Sequence, residues 1–291
     1  MAIHRRLLLP ASRWRMTSIS DGLGDFLKVR AAGDLIAWKD QLDASRQFGV
    51  GLGVVELAAL EAGLLPTRYR RNRVTLSVAD QSRVFRSRVA VVGCGGLGGY
   101  IVEELARLGV GSLVLVDPDV FEEHNLNRQL LSTPALLGRL KVEVGRERVA
   151  EVNPAVTVVA HHARFSAENA RELFSGCTAV MDGLDNALTR RELAIACRDL
   201  AVPLVHGAIA GWYGQVTVQM PGSDISPIFR ASPEATGVET VLGNPSFTPA
   251  VVASLQVAEV VKLLLGRGVP LVGRVLFVNL LEMRFDEVSH A

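Results

Sequence analysis

An α/β architecture, with a mostly parallel sheet wound by helices, is predicted from three features of this 291-residue chain. From Arg88 onward, short β-rich runs alternate with helical patterns, the signature of βαβ units and a parallel sheet. After His206 the rhythm changes, and Gln215 to Met220 alternates with period two, as a strand with one solvated face does. The sheet should therefore turn antiparallel towards the C-terminus. Apolar types make up 49% and charged types 21%, a balance that supplies a core and excludes intrinsic disorder.

Residues 1–66 read as a small helical extension and residues 67–291 as the main domain. Arg5, Arg6, Arg13 and Arg15 precede any acidic residue, but the only apolar run there, Leu7 to Leu9, is too short for a secretion signal. A frayed tail is expected. The apolar spacing of Leu35 to Phe48 and of Val54 to Ala62 suits two short helices. In the main domain, Arg88 to Gly93 reads as a buried strand, Gly98 to Leu108 as a helix and Ser112 to Asp117 as the next strand. A helix over Leu137 to Val152, a strand over Val156 to His161, a helix over Ala167 to Phe174 and a strand over Thr178 to Asp182 follow. Ala187 to Leu200 continues the series as a helix and Pro203 to His206 as a strand. Met220 to Pro249 holds five prolines and little periodicity, which marks a functional loop rather than an idle connection. The apolar helix Val251 to Leu265 and strands around Arg274 to Asn279 and Met283 to Val288 close the chain.

Charge and cysteine content narrow the function. Thirty-one Lys and Arg against 30 Asp and Glu leave a net charge of +1, so no nucleic-acid partner is expected. Cys94, Cys177 and Cys197 form no C-x-x-C pair, which argues against a disulfide framework and an all-cysteine zinc site. A reducing, cytoplasmic compartment fits that usage. Gln256, Glu259 and Lys262 interrupt the most apolar stretch, which falls short of the ~20 residues of a membrane span, so no membrane partner is expected.

Gly93-Cys94-Gly95-Gly96-Leu97-Gly98 is a G-x-G-x-x-G at a strand-to-helix junction. Glycine permits the tight turn and lets backbone N–H groups approach a phosphate seated at a helix N-terminus. Asp117 closes the following strand, where a carboxylate accepts the ribose hydroxyls. On these residues alone a dinucleotide cofactor, NAD(P) or FAD, is the favoured reading. Cys94 sits inside a turn that must be narrow and reads as a packing residue.

Beyond Asp117 the chain runs D-P-D-V-F-E-E-H-N-L-N-R-Q, with Lys141 downstream. Hydride transfer needs no Arg and Lys there, but chemistry on a triphosphate does. Two unit negative charges ~4 Å apart repel by about 4 kcal/mol at an effective dielectric near 20. A carboxylate attacking the α-phosphate of ATP therefore needs cations close by. Asp182-Gly183-Leu184-Asp185-Asn186 ends a later parallel strand, on the edge where open α/β sheets bind ligands. Its carboxylates suit Mg²⁺, with Asp185 as the metal candidate and Asp182 open to a helix-capping role.

These motifs together resemble the E1-like adenylating enzymes, the ThiF, MoeB and HesA group. V-G-C-G-G-L-G, the D-P-D-V…N-L-N-R-Q stretch, G-R-L-K at Gly138 to Lys141, Asn153-Pro154 and D-G-L-D-N carry the likeness. Arg68-Tyr69-Arg70-Arg71 is similar to the family's R-Y-x-R, and Gly214-Gln215-Val216 fits the strand that turns antiparallel. The resemblance implies a Rossmann-like, doubly wound sheet and adenylation, with ATP and Mg²⁺, of the C-terminal carboxylate of a small ubiquitin-like sulfur carrier ending in Gly-Gly, releasing pyrophosphate. By the same resemblance, Gly93, Gly95, Gly96 and Gly98 cradle the nucleotide and Asp117 holds its ribose. Asn125 and Gln129 make polar contacts in the pocket, Arg128 and Lys141 neutralise phosphates, and Asp185 binds magnesium. Arg71 reaches the γ-phosphate from a partner subunit, which implies a homodimer.

Two departures qualify the likeness. Many relatives carry paired C-x-x-C zinc ligands, and some use a cysteine in the crossover loop to take over the activated acyl group. Here no cysteine follows Cys197, so the implied enzyme has no zinc and no thiol relay of its own. The helical extension is the second departure. An oxidoreductase and a non-catalytic ATP-binding module are the alternative readings, since fold and ligand alone do not guarantee chemistry.

Overall fold

The computed structural model describes residues 22–229 and 241–289. The expectation of a frayed tail, and part of the expected 220–249 loop, lie outside the described residues. The chain divides into two compact units, Met1–Ser82 and Arg83–Ala291.

In the first unit, residues 22–30 are helical (α1). β1 (Leu35–Ile36), α2 (Trp38–Phe48), α3 (Leu52–Glu61) and β2 (Leu65–Pro66) follow, with β1 and β2 paired in parallel. That pairing draws Leu35 and Ile36 out of the helix expected from Leu35, so α2 begins only at Trp38. Leu23, Leu27, Ile36, Ala44, Val55 and Ala59 bury together as the core of this unit. Arg68 and Tyr69 are tied to the buried Glu56: Arg68 Nη1 donates to Oε2 at 2.8 Å and Tyr69 Oη to Oε1 at 2.6 Å. These bonds hold the R-Y-x-R segment to the helical extension, and the division falls after Ser82 rather than after residue 66.

Helix α4 (Val78–Arg86) was not expected. Ser77 and Asp80 open it reciprocally, the Ser77 N–H donating to Asp80 Oδ2 at 3.0 Å and the Asp80 N–H to Ser77 Oγ at 3.1 Å.

The second unit is built on β3 (Arg88–Val92), β4 (Ser112–Val116), β5 (Thr157–His161), β6 (Ala179–Asp182), β7 (Leu204–Ala210), β8 (Tyr213–Gln219), β9 (Arg274–Asn279) and β10 (Arg284–Ser289). Their order in the sheet is β10-β9-β8-β7-β6-β3-β4-β5. Strands β3 to β7 run parallel, and β8, β9 and β10 pair antiparallel, but β8 is buried on both faces from Val216 to Gln219 and not solvated on one as its period-two pattern predicts. The connecting helices are α5 (Gly96–Leu108), α6 (Lys141–Val152), α7 (Ala167–Leu173), α8 (Ala187–Asp199) and α9 (Phe247–Leu265).

Alternate residues of the central strands face opposite layers. Ala90, Val92, Val114, Val116 and Val180 pack with Phe165, Ala170, Leu173 and Leu193 from the α7 and α8 side. Val91 and Leu115 meet the other side, where Gly98 of α5 and Gly145 of α6 let the helix backbones come close. Helices thus cover both faces, the doubly wound arrangement.

Two boundaries differ from the sequence reading. The helix expected from Leu137 starts at Lys141, because Phe121 exchanges backbone hydrogen bonds with Gly138 and Arg139 and holds them in a turn. Strand β7 continues to Ala210, where its pairing with β8 extends it. Helix α9 is long and apolar enough to cross a membrane by length and composition. It instead packs on α5, β7 and β8. Gln256, fully buried in it, donates to the Asp182 carbonyl at 2.9 Å, as a core helix of a globular unit does.

Candidate functional site

The chain passes from β3 to β4 and β5 in one direction and to β6 and β7 in the other, so a crevice opens at the carboxyl ends of β3 and β6. A cavity of about 280 Å³ lies there, and all its lining residues belong to the second unit.

Its floor is the glycine turn. Gly93 takes φ +90°, and a Cβ there would stand 2.6 Å from the Gly183 carbonyl oxygen. Gly98 is tighter still: a Cβ would stand 1.8 Å from the Gly93 oxygen. Gly93, Gly95 and Gly96 line the cavity, whereas Gly98 does not. Gly98 lets α5 sit against the turn.

Asp117 is buried at the end of β4. Its Oδ2 accepts the Cys94 N–H at 2.6 Å and its Oδ1 the Asp119 N–H at 2.8 Å. The carboxylate thus braces the glycine turn from within while lining the cavity. Burial raises its pKa above the usual carboxylate value, against the opposing pull of the Lys141 charge and the two N–H bonds. Burial and the Asp117 charge push the Cys94 thiol well up, so it is a packing group and not a thiolate nucleophile. Burial raises Cys197 and Cys177 as well.

Arg128, Gln129 and Lys141 meet at the same cavity. Arg128 donates from Nη1 to the His124 carbonyl at 3.0 Å and to Asn127 Oδ1 at 2.9 Å. Lys141 is buried at the first position of α6, where the helix dipole disfavours a cation, and its Nζ lies 3.0 Å from Asp119 Oδ2. A lysine held there against the dipole is poised for an anion. Asn125 does not line the cavity: its side chain accepts the Glu122 N–H at 3.1 Å and its carbonyl the N–H groups of Arg128 and Gln129. It shapes the turn that presents those two residues.

Asp185 and Asn186 reach the rim from the loop after β6. Asn186, not Asp182, caps α8, accepting the Thr189 N–H at 2.8 Å. Asp182 is fully buried: Oδ1 accepts the Leu184 N–H at 2.9 Å, and Oδ2 lies 2.6 Å from His206 Nδ1. Because a carboxylate only accepts, Nδ1 carries the proton, leaving Nε2 to accept from Gln215 Nε2 at 3.2 Å. Burial lowers the His206 pKa against the pull of Asp182, so the ring stays neutral. Nothing in the local sequence pattern pointed to this pair, which forms only when β7 is laid beside β6. Arg190, Arg164 and Thr189 line the cavity too and were not foreseen; their signal was position, just after β5 and early in α8. Arg71 belongs to the first unit and is exposed.

Among the described residues, two buried polar atoms of the cavity lining, Gln129 Oε1 and Arg190 Nε, have no hydrogen-bond partner, though Arg190 Nε faces Asp182 Oδ2 at 3.9 Å. A buried polar group left unpaired is costly, and a polar ligand relieves that cost. Among the described residues no group of three or more His, Cys, Asp or Glu side chains is placed to hold a metal ion. Asp185 suits Mg²⁺ in the way that ion prefers, one carboxylate completed by substrate phosphates and water.

Known proteins resemble the chain over most of its length. The chain is 39% identical over 228 residues to the SAMP-activating enzyme E1 of Haloferax volcanii, covering 77% of this chain and 84% of that protein. It is 36% identical over 233 residues to the sulfur carrier protein adenylyltransferase of Thermus thermophilus, covering 76% and 86%. Among solved structures, E. coli MccB with MccA-N7isoASN aligns with a TM-score of 0.68 over 98% of this chain and 89% of that one, at 16% identity, a likeness of fold alone. The ThiF family matches residues 69–291, so this chain belongs to the ThiF family of E1-like adenylyltransferases.

Proposed function

We propose that the protein adenylates the C-terminal carboxylate of a small ubiquitin-like sulfur carrier ending in Gly-Gly, consuming ATP and releasing pyrophosphate. The observation that carries this reading is the meeting of Arg128, Lys141 and Asp185 on one cavity with the glycine turn. The triphosphate lies over the turn, with its oxygens towards the N–H groups that open α5. A carrier carboxylate oxygen bonds to the α-phosphorus, and the bond from that phosphorus to the β-bridging oxygen breaks. Arg128 and Lys141 stabilise the negative charge gathered by the two anions and the departing pyrophosphate. Lys141 exchanges its Asp119 partner for a phosphate oxygen. Asp185 would hold magnesium at the cavity rim, and the ion would supply further charge neutralisation on the leaving group.

The exposed side chains of Trp212, Tyr213, Phe277, Leu281 and Met283 on and beside β8 and β9 suit the body of the carrier. Arg71 of a partner subunit would reach the γ-phosphate, making the working form a homodimer, and the setting is cytoplasmic. With no cysteine after Cys197 and with raised thiols at Cys94, Cys177 and Cys197, the reaction ends at the acyl-adenylate, without zinc or a thioester.

The test is isotopic ATP–pyrophosphate exchange, which should depend on a carrier ending in Gly-Gly. Lys141→Ala and Asp185→Ala should each lower it at least a hundredfold, as removal of a charge-stabilising group does. Normal exchange in both variants overturns the assignment.

A further inference from the structure

Two cations of the cavity, Arg164 and Arg190, take no part in the phosphate chemistry proposed for Arg128 and Lys141. We infer that Arg164 is the nucleobase platform of this chain, its guanidinium lying flat over the adenine of the bound nucleotide. The inference rests on ATP as the ligand of this cavity and extends it to the recognition of the base.

The cavity has two dissimilar ends. At one, Arg128 lies beside Gly96 at the start of α5, and Pro249 of α9 flanks the same glycine. Asn127 Nδ2 donates to the Asn244 carbonyl at 3.1 Å, closing that side. This end has the helix N-terminus and the mobile positive charge, so phosphates belong here. Arg164 and Phe165, just after β5, and Thr189, early in α8, line the cavity as well, and their places in the chain assign them to the other end. The strand order supports the same direction: glycine turn at the end of β3, Asp117 at the end of β4, and Arg164 just after β5, next beyond β4. A nucleotide with phosphates on α5 and ribose at Asp117 carries its base towards Arg164.

The Arg164 backbone is tied down by hydrogen bonds around it, while its side chain is exposed. Its carbonyl accepts from Asn169 Nδ2 at 2.9 Å, and the Ala167 N–H donates to Glu192 Oε1 at 2.8 Å, tying the segment to α8. Phe165 is buried and stacks on Phe174, ring centroids 5.6 Å apart and 14° from parallel, so the residue beside Arg164 is an anchor. Among the described residues Arg164 has no carboxylate partner, whereas Lys141 is paired with Asp119 and Arg190 donates to the Leu184 carbonyl at 2.6 Å. A guanidinium is planar and weakly hydrated, and it stacks on aromatic faces where an ammonium does not. A guanidinium on the cavity lining without a carboxylate partner among the described residues is suited to that contact.

The experiment titrates the full-length protein calorimetrically with ATP and separately with inorganic tripolyphosphate, which has no base. Arg164→Ala should weaken ATP roughly tenfold, the scale of a cation–π contact, and leave tripolyphosphate unchanged. Arg164→Lys should weaken ATP nearly as much, because the charge remains and the plane is lost. In exchange assays both variants should raise KM for ATP and keep kcat. Unchanged ATP affinity in Arg164→Ala, full retention by Arg164→Lys, or an equal loss for tripolyphosphate overturns the inference while leaving adenylation standing. Failure of the unaltered protein to bind ATP overturns both.

Discussion

Gly98 illustrates how a residue acts without touching a ligand. Its hydrogen occupies the only space between α5 and the Gly93 carbonyl, so Gly98→Ala forces the helix away from the turn. Overpacking of this kind costs about 1–3 kcal/mol, and at 1.8 Å the upper end applies. Urea denaturation should show that loss, together with weaker ATP binding, because the turn itself shifts; a variant of unaltered stability would contradict the packing role. The glycines were readable from their spacing, but which of them face the ligand was not. Asn125 is a similar case. It lies inside a recognisable stretch, yet its partners are the backbone around it and not the cavity.

Between elements, the join of α5 to α6 rests on Glu103. Its Oε2 accepts from Arg148 Nε at 2.8 Å, and its Oε1 accepts from Arg148 Nη2 at 2.9 Å and from Arg107 Nη2 at 2.6 Å. Burial acts to raise this carboxyl, but the two arginines outweigh it and the pKa is lowered. A lowered folded-state pKa means stability present above the unfolded carboxylate value and lost as pH falls through the folded one. Glu103→Gln should cost about 1–2 kcal/mol at pH 7, the arginines being partly screened by solvent, and the gap to the unaltered protein should close below pH ~4. Chemical denaturation across that range measures it, and a gap that persists in acid would count against the ion pairs as its source. Element prediction worked where one periodicity dominated, as in β3, β4 and α8. It failed at α4, whose signal was the capping pair Ser77 and Asp80 rather than an apolar stripe, and at Leu35–Ile36, where a distant partner strand overrode a helical spacing.

For the whole molecule, the proposed dimer makes a prediction that no single-subunit arrangement shares. If Arg71 serves the partner's cavity, Arg71→Ala and Lys141→Ala proteins, each inactive alone, should regain exchange when their subunits are mixed, since some mixed dimers contain one intact site. Exchange assayed after mixing tests this, and no recovery would put both residues to work within one subunit. The motif order, the α/β class and the turn to antiparallel strands were all legible in the amino-acid order, because each depends on neighbours a few positions apart. Strand order, the burial of Lys141 against Asp119, the Asp182–His206 pair and the arrival of Arg164 at the cavity came only with the folded chain. Those contacts join residues far apart in the chain, by packing across the sheet or, for Lys141 and Asp119, by the folding back of the β4–α6 connection, which no local spacing encodes.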